Sequence, residues 1–180
     1  MRLLSIVALC ALVSACGVTA PTYTVQPRSQ SVLVNSHLSP AMVGAFTAKD
    51  PALEHLSVRG NTVTLASGTA TAEIRHALEA ELSQAGLLAK DSQTQVTGTL
   101  LKNDLIGKGF TEGSADVSVE FVVTRNGQET FRATKSKANT WPSSFVGAKA
   151  IPAAAQGYEQ TIADLVADLI ADPAFQAALR

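Results

Sequence analysis

Between residues 117 and 170 the apolar side chains change period, and this change restricts the fold more than any other feature of the chain. Val117, Val119, Phe121 and Val123 stand at alternate positions, the spacing that puts every second side chain on one face of a strand. Tyr158, Ile162, Leu165, Val166, Leu169 and Ile170 recur instead at helical spacing, in the most strongly periodic segment of the sequence. A sheet with one apolar face and helices with one apolar stripe must bury each other. An α+β two-layer sandwich is therefore expected, with a mainly antiparallel sheet packed against two amphipathic helices.

The flanking segments fill in that frame. Residues 130–138 read as the return strand of a hairpin turning at Asn126 and Gly127. A two-residue turn there sets Phe121 opposite Arg132. A three-residue loop with Gly127 in a bulge sets Phe121 opposite Phe131 and Val119 opposite Ala133, which keeps apolar side chains together and is the closure expected. Trp141-Pro142 ends the strand, since proline cannot donate to a ladder. Pro152 suits the first turn of the closing helix, and Asp172 caps a short final turn.

Upstream, residues 31–34 are expected to form the first strand, and residues 36–54 to be irregular around Pro40, Gly44 and Pro51. Residues 56–59 and 62–65 flank Gly60-Asn61, a turn that sets Val58 opposite Val63 and Leu56 opposite Leu65 on one face. Residues 70–85 carry Ile74, Leu78 and Leu82 on one helical stripe, with Glu73, Arg75, Glu79 and Glu81 elsewhere and Gly86 as the closing residue. Residues 95–103 read as a Thr-rich strand, and residues 104–114, with glycines around Phe110, as a mobile connection.

The amino-terminal residues carry a different message. After Met1-Arg2, residues 3–12 form an apolar run interrupted only by Ser5, shorter than the ~20 residues that cross a bilayer as a helix. Val13-Ser14-Ala15-Cys16-Gly17 follows, an aliphatic residue and two small ones before a cysteine, which resembles a lipobox. Small residues let such a segment enter a peptidase site extended, and the thiol of Cys16 would accept diacylglycerol before cleavage leaves it as the new amino terminus. A third acyl chain on that amine, palmitate for example, would anchor the chain stably where a single chain would not. Residues 1–15 are thus expected to be a signal peptide, residues 16–30 a lipidated cysteine and flexible tether, and residues 31–180 one periplasmic domain. Gly17 beside the cysteine looks like the pattern that sorts to the outer membrane. Cys10 leaves with the leader and Cys16 carries lipid, so the mature chain keeps no thiol for a disulfide or a thiolate metal site.

Chemistry-bearing patterns are sparse. Fourteen basic residues against fifteen acidic ones imply no nucleic-acid partner, and 5% aromatic residues offer no stacking platform. His37, His55 and His76 stand at no metal-ligand spacing, so no metal or other cofactor is expected. Asp164, Asp168 and Asp172 recur every fourth residue and read as a solvated acidic face. No Gly-x-Ser-x-Gly occurs, and Gly107-Lys108-Gly109 is too short to cradle a phosphate, so no enzymatic activity is expected. Trp141 and Phe145, in a loop with Pro142, Ser143 and Ser144, have two readings. They either present a contact surface to a protein, lipid or peptidoglycan strand, or fold back over one end of the core, the reading favoured here.

The lipobox, the first short strand at residues 31–34, the helix Ile74-Arg75-His76-Ala77-Leu78-Glu79-Ala80-Glu81-Leu82-Ser83-Gln84-Ala85-Gly86-Leu87, the Thr-rich strand, the Asn-Gly hairpin and the closing amphipathic helix together resemble the YajG-type small outer-membrane lipoproteins. More distantly they are similar to the amino-terminal domain of TolB and to transport-auxiliary lipoproteins. The resemblance implies a lipid-anchored accessory on the periplasmic face of the outer membrane, with an envelope protein as partner and no catalytic residues. A lipid or glycan ligand held between sheet and helices is the alternative, and an unrecognised hydrolase a third.

Overall fold

The computed structural model describes residues 18–107 and 111–180. The signal peptide, Val13, Ser14, Ala15 and the lipidation residue Cys16 lie outside the described residues, as do residues 108–110 of the expected mobile connection. The elements run β1 (Val18–Thr19), α1 (Pro27–Asn35), β2 (Met42–Ala48), a 3₁₀ turn (Pro51–Glu54), β3 (Leu56–Val58), β4 (Asn61–Thr64), α2 (Ala70–Gln84), β5 (Thr94–Ile106), β6 (Glu112–Arg125), β7 (Gln128–Pro142), α3 (Gly147–Ile170) and α4 (Pro173–Ala178). The main sheet has the order β2-β5-β6-β7, with β2 parallel to β5 and the other pairs antiparallel; β1, β4 and β3 form a small second sheet.

The two-layer α+β sandwich is the observed architecture, one face of the main sheet packing against the helices. Val96 and Leu100 of β5 and Val117, Val119, Phe121 and Val123 of β6 are buried, together with the whole α3 stripe from Tyr158 to Ile170 and with Ile74, Leu78 and Leu82 of α2. Each such side chain contributes roughly 1.5–3 kcal/mol through removal from water. Thr69 caps α2 at Ala72 N, and Gly86, at φ +71°, closes it as expected. Asp172 caps α4 by accepting from Ala174 N.

Residues 31–34 are helical, not a strand. Pro27 opens α1 at its first turn, and Ser29 and Leu33, four apart, are its buried residues, with Val32 partly packed on the core; the β-branched Val34 lies 66% exposed. The run of apolar side chains looked strand-like, but tertiary packing buries Leu33, half-covers Val32 and leaves Val34 in water. Nor are residues 18–30 a flexible tether. Val18 and Thr19 pair with Val63 and Thr64, while Ala20, Tyr23 and Ser29 are buried against the domain. Within the expected irregular stretch lies β2, whose alternation is hidden by a bulge between Val43 and Phe46.

Both hairpin turns differ in register from expectation. Arg59 and Gly60 have φ of +52° and +75°, so the first turn lies one residue earlier than Gly60-Asn61 and pairs Leu56 with Val63. Positive φ at both central residues defines this turn, and glycine suits its second position. The pairing shifts by two residues, so Leu56, Val58, Val63 and Leu65 still share the buried face. The second hairpin closes through the two-residue turn at Asn126 and Gly127, not the three-residue loop. A bulge at Thr130 then moves the register by one, so that Phe131 meets Val123 and Ala133 meets Phe121. β5 and β6 extend through most of the expected mobile connection, to Ile106 and from Glu112. α3 begins at Gly147, so Pro152 stands inside the helix beyond the first turn, where its missing N–H leaves the Ala148 carbonyl without its helical donor.

Candidate functional site

α3 and the cap residue Asp172 just beyond it lie along the helix-facing side of the edge strand β7, and their polar side chains meet in matched steps. Lys135 Nζ donates to Asp172 at 2.6 Å, Lys137 Nζ to Asp168 at 2.8 Å, and Asn139 Nδ2 to Asp164 at 2.7 Å. Two strand residues advance about 6.6 Å and four helical residues about 6 Å, so the two ladders stay in phase over three rungs. All three carboxylates are therefore paired with β7; Asp164 and Asp172 are largely covered, contrary to the solvated face expected, while Asp168 remains exposed as expected. Arg28 of α1 also bonds Asp164. Burial opposes ionisation of Asp164, but hydrogen bonds from Asn139 and Gln160 and the Arg28 charge hold its carboxyl below the usual range. Asp172 is likewise held low, first by Lys135 and then by the backbone it caps. Among the described residues no three His, Cys, Asp or Glu side chains are grouped to hold a metal ion.

At the next rung, Trp141 takes the place of a polar side chain. It faces Gly113 across the β6–β7 pair and Gly157 on α3. A Cβ on Gly113 would stand 2.4 Å from the indole, and one on Gly157 2.3 Å, so both glycines are required for the ring to wedge between sheet and helix. The half-buried indole, with Pro142, Ala153, Gln156, Gly157 and Gln160, lines an open groove of about 650 Å³ that runs toward Asp164. Trp141 Nε1 is buried without a hydrogen-bond partner among the described residues. Such a groove offers an apolar floor and an amide and carboxylate rim.

Phe145 parts company with Trp141. It lies 72% exposed, next to Val146 at 53%, just before α3. Arg59, at the tip of the β3–β4 hairpin, donates from Nη1 to the Ser144 carbonyl at 2.7 Å and secures this loop to the small sheet. Trp141 thus folds onto the body while Phe145 stands out from it.

A cluster of buried glutamates joins α2, α3 and the amino-terminal segment. Glu81 accepts from Tyr23 Oη at 2.6 Å, from Gln26 N at 2.7 Å and from Gln30 Nε2 at 2.6 Å. Glu73 accepts from Ser67 N, and Glu54 accepts from both the backbone and hydroxyl of Thr71. Glu159 is nine-tenths buried beneath residues 21–26, and neither of its oxygens has a hydrogen-bond partner among the described residues. Burial, and then the charge of Glu73, push its carboxyl up to about 8. Sequence reasoning placed Glu73 and Glu81 on the polar side of α2 and passed over Glu159. One signal was available: Glu159 stands three residues before Ile162 and seven before Val166, inside the apolar stripe.

With this geometry in view, the fold has solved counterparts. The chain is similar to a protein from Xanthomonas campestris assigned to family DUF330, at TM-score 0.58 and 14% identity over 84% of this chain and 91% of that one. This is a shared fold. A candidate lipoprotein from Caulobacter crescentus CB15 is similar at TM-score 0.51 and 16% identity, over 83% of this chain and 95% of that one. No family model matches the chain, and no curated protein matches its sequence.

Proposed function

We propose that the chain is a lipid-anchored, non-enzymatic accessory of the cell envelope, on the periplasmic face of the outer membrane, whose α+β domain binds a protein partner. The observation that carries this reading is Cys16, the sole cysteine left after cleavage and the last residue of Val13-Ser14-Ala15-Cys16. Its lipid would tether the domain where YajG-type and transport-auxiliary lipoproteins work. The partner contact belongs to the groove beside Trp141, because a rigid aromatic floor flanked by Gln156 and Gln160 suits an extended peptide segment.

Labelled palmitate should enter the wild-type protein and not Cys16→Ser, which should remain an uncleaved precursor. Normal cleavage of Cys16→Ser would sink the lipoprotein reading. A photo-crosslinker at Gln156 should trap one defined envelope protein in cells, while one at Asn126 should not. A second reading is favoured by the same groove: mass spectrometry of the gently purified protein would find a bound lipid or glycan if the occupant is a small ligand.

A further inference from the structure

We propose that the end of the molecule formed by the β3–β4 hairpin tip and residues 144–146 rests directly on the bilayer, with Phe145 and Val146 seated at its headgroup boundary. This rests on the reading of Cys16 as the lipidated residue. β1 begins at Val18, two residues beyond Cys16. Two residues of fully extended chain reach no more than about 7 Å. The headgroup layer on one side of a bilayer is itself roughly 5–8 Å deep. A domain joined so closely to an acylated cysteine stands at the lipid surface, not at the end of a long tether.

The direction of β1 decides which end faces the lipid. β1 runs parallel to β4, with Val18 beside Val63 and Thr19 beside Thr64, so the chain enters from the Asn61 end of β4, next to the turn at Arg59 and Gly60. Arg59 binds the Ser144 carbonyl and brings the exposed loop to that same end. Gly107 backs onto Val58 and Arg59, which places Ile106, 40% exposed, there too. Three of the five exposed large apolar residues among those described, Ile106, Phe145 and Val146, therefore gather where the anchor attaches. The other two, Val34 and Leu88, lie toward α4: the cap residue of α1, Ser36, bonds Gln176, and Leu88 bridges Ala41, near the Ser39–Leu179 hydrogen bond. Arg59 and the exposed Lys149 add positive charge beside Phe145, which suits anionic headgroups.

The test uses the mature lipidated chain reconstituted into vesicles of phosphatidylethanolamine and phosphatidylglycerol. Acylated Cys16 has no thiol, so an environment-sensitive dye attaches singly to Phe145→Cys or, as the distal control, to Asn126→Cys. The dye at 145 should shift to the blue and lose quenching by aqueous iodide, while gaining quenching from lipid-borne nitroxides; the dye at 126 should do none of these. Equal iodide quenching at both positions on a chain whose mass shows acylated Cys16 overturns the proposal alone. A mass showing unmodified Cys16 overturns the lipoprotein reading and the proposal with it. Shielding at 145 that needs no vesicles and grows with protein concentration assigns the surface to a second copy, and also overturns it.

Discussion

Glu159 is the residue at which the fold bears an avoidable cost. Its carboxyl is buried without hydrogen bonds and faces Glu73 of α2, with Tyr158 next to it on its own helix and Tyr23 above it. The folded state therefore holds the proton that the unfolded chain releases. Between the ordinary value of 4.5 and about 8, the native protein binds more protons than the unfolded one. Its contribution to stability is full below that window and falls as pH rises through it, by at most about 1.4 kcal/mol per unit, and levels off above. Glu159→Gln keeps the shape without the charge. Its urea midpoint should match the wild type near pH 5 and exceed it by a growing margin up to pH 8; parallel profiles would mean that Glu159 stays ionised in the fold.

At the scale of elements, β7 is an edge strand of fifteen residues whose outer N–H and C=O groups invite pairing with another chain. Lys135 and Lys137 point toward the helical layer and are held there by Asp172, the cap of α4, and by Asp168 of α3. A new strand or sheet pairing that displaced α3 would strand those charges, so the ladder protects the edge. Lys135→Val with Lys137→Val should leave the unfolding midpoint little changed, because both pairs are partly exposed, yet sedimentation should show self-association at concentrations where the wild type is monomeric. A variant that stays monomeric would assign edge protection elsewhere. The same elements show where local pattern is readable. β6 and α3 bury one face each over many residues, so their periods survive in the sequence. Pairing register does not survive: one bulged residue at Thr130 converts a two-residue turn into the in-phase contact of Phe131 with Val123, and the alternation of β7 alone carries no mark of it.

Across the whole molecule, the amino-terminal boundary of the domain was the least legible feature, and for a single physical reason. Residues 18–30 carry prolines, threonines and little apolar periodicity, the composition of a tether. What holds them is a few aperiodic apolar contacts, Ala20, Tyr23 and Val25, together with a polar contact that leaves no periodic trace: three donors from Tyr23, Gln26 and Gln30 converge on Glu81, itself buried on α2. The groove was half legible for a related reason, since Trp141 stood out by its chemistry while Gly113, which makes room for it, read as part of a mobile connection and Gly157 gave no signal within the helical pattern. If residues 18–30 belong to the fold, a soluble chain starting at residue 31 leaves Glu81 without those donors and uncovers Glu159. Each hydrogen bond lost from a charged carboxylate costs roughly 1.5–3 kcal/mol, offset in part by the water that the deletion admits. The shortened chain should therefore unfold at distinctly lower urea than one starting at residue 17, with faster hydrogen exchange in α2. A tether would be dispensable, and equal midpoints for the two chains would restore that reading and detach the domain from the membrane surface.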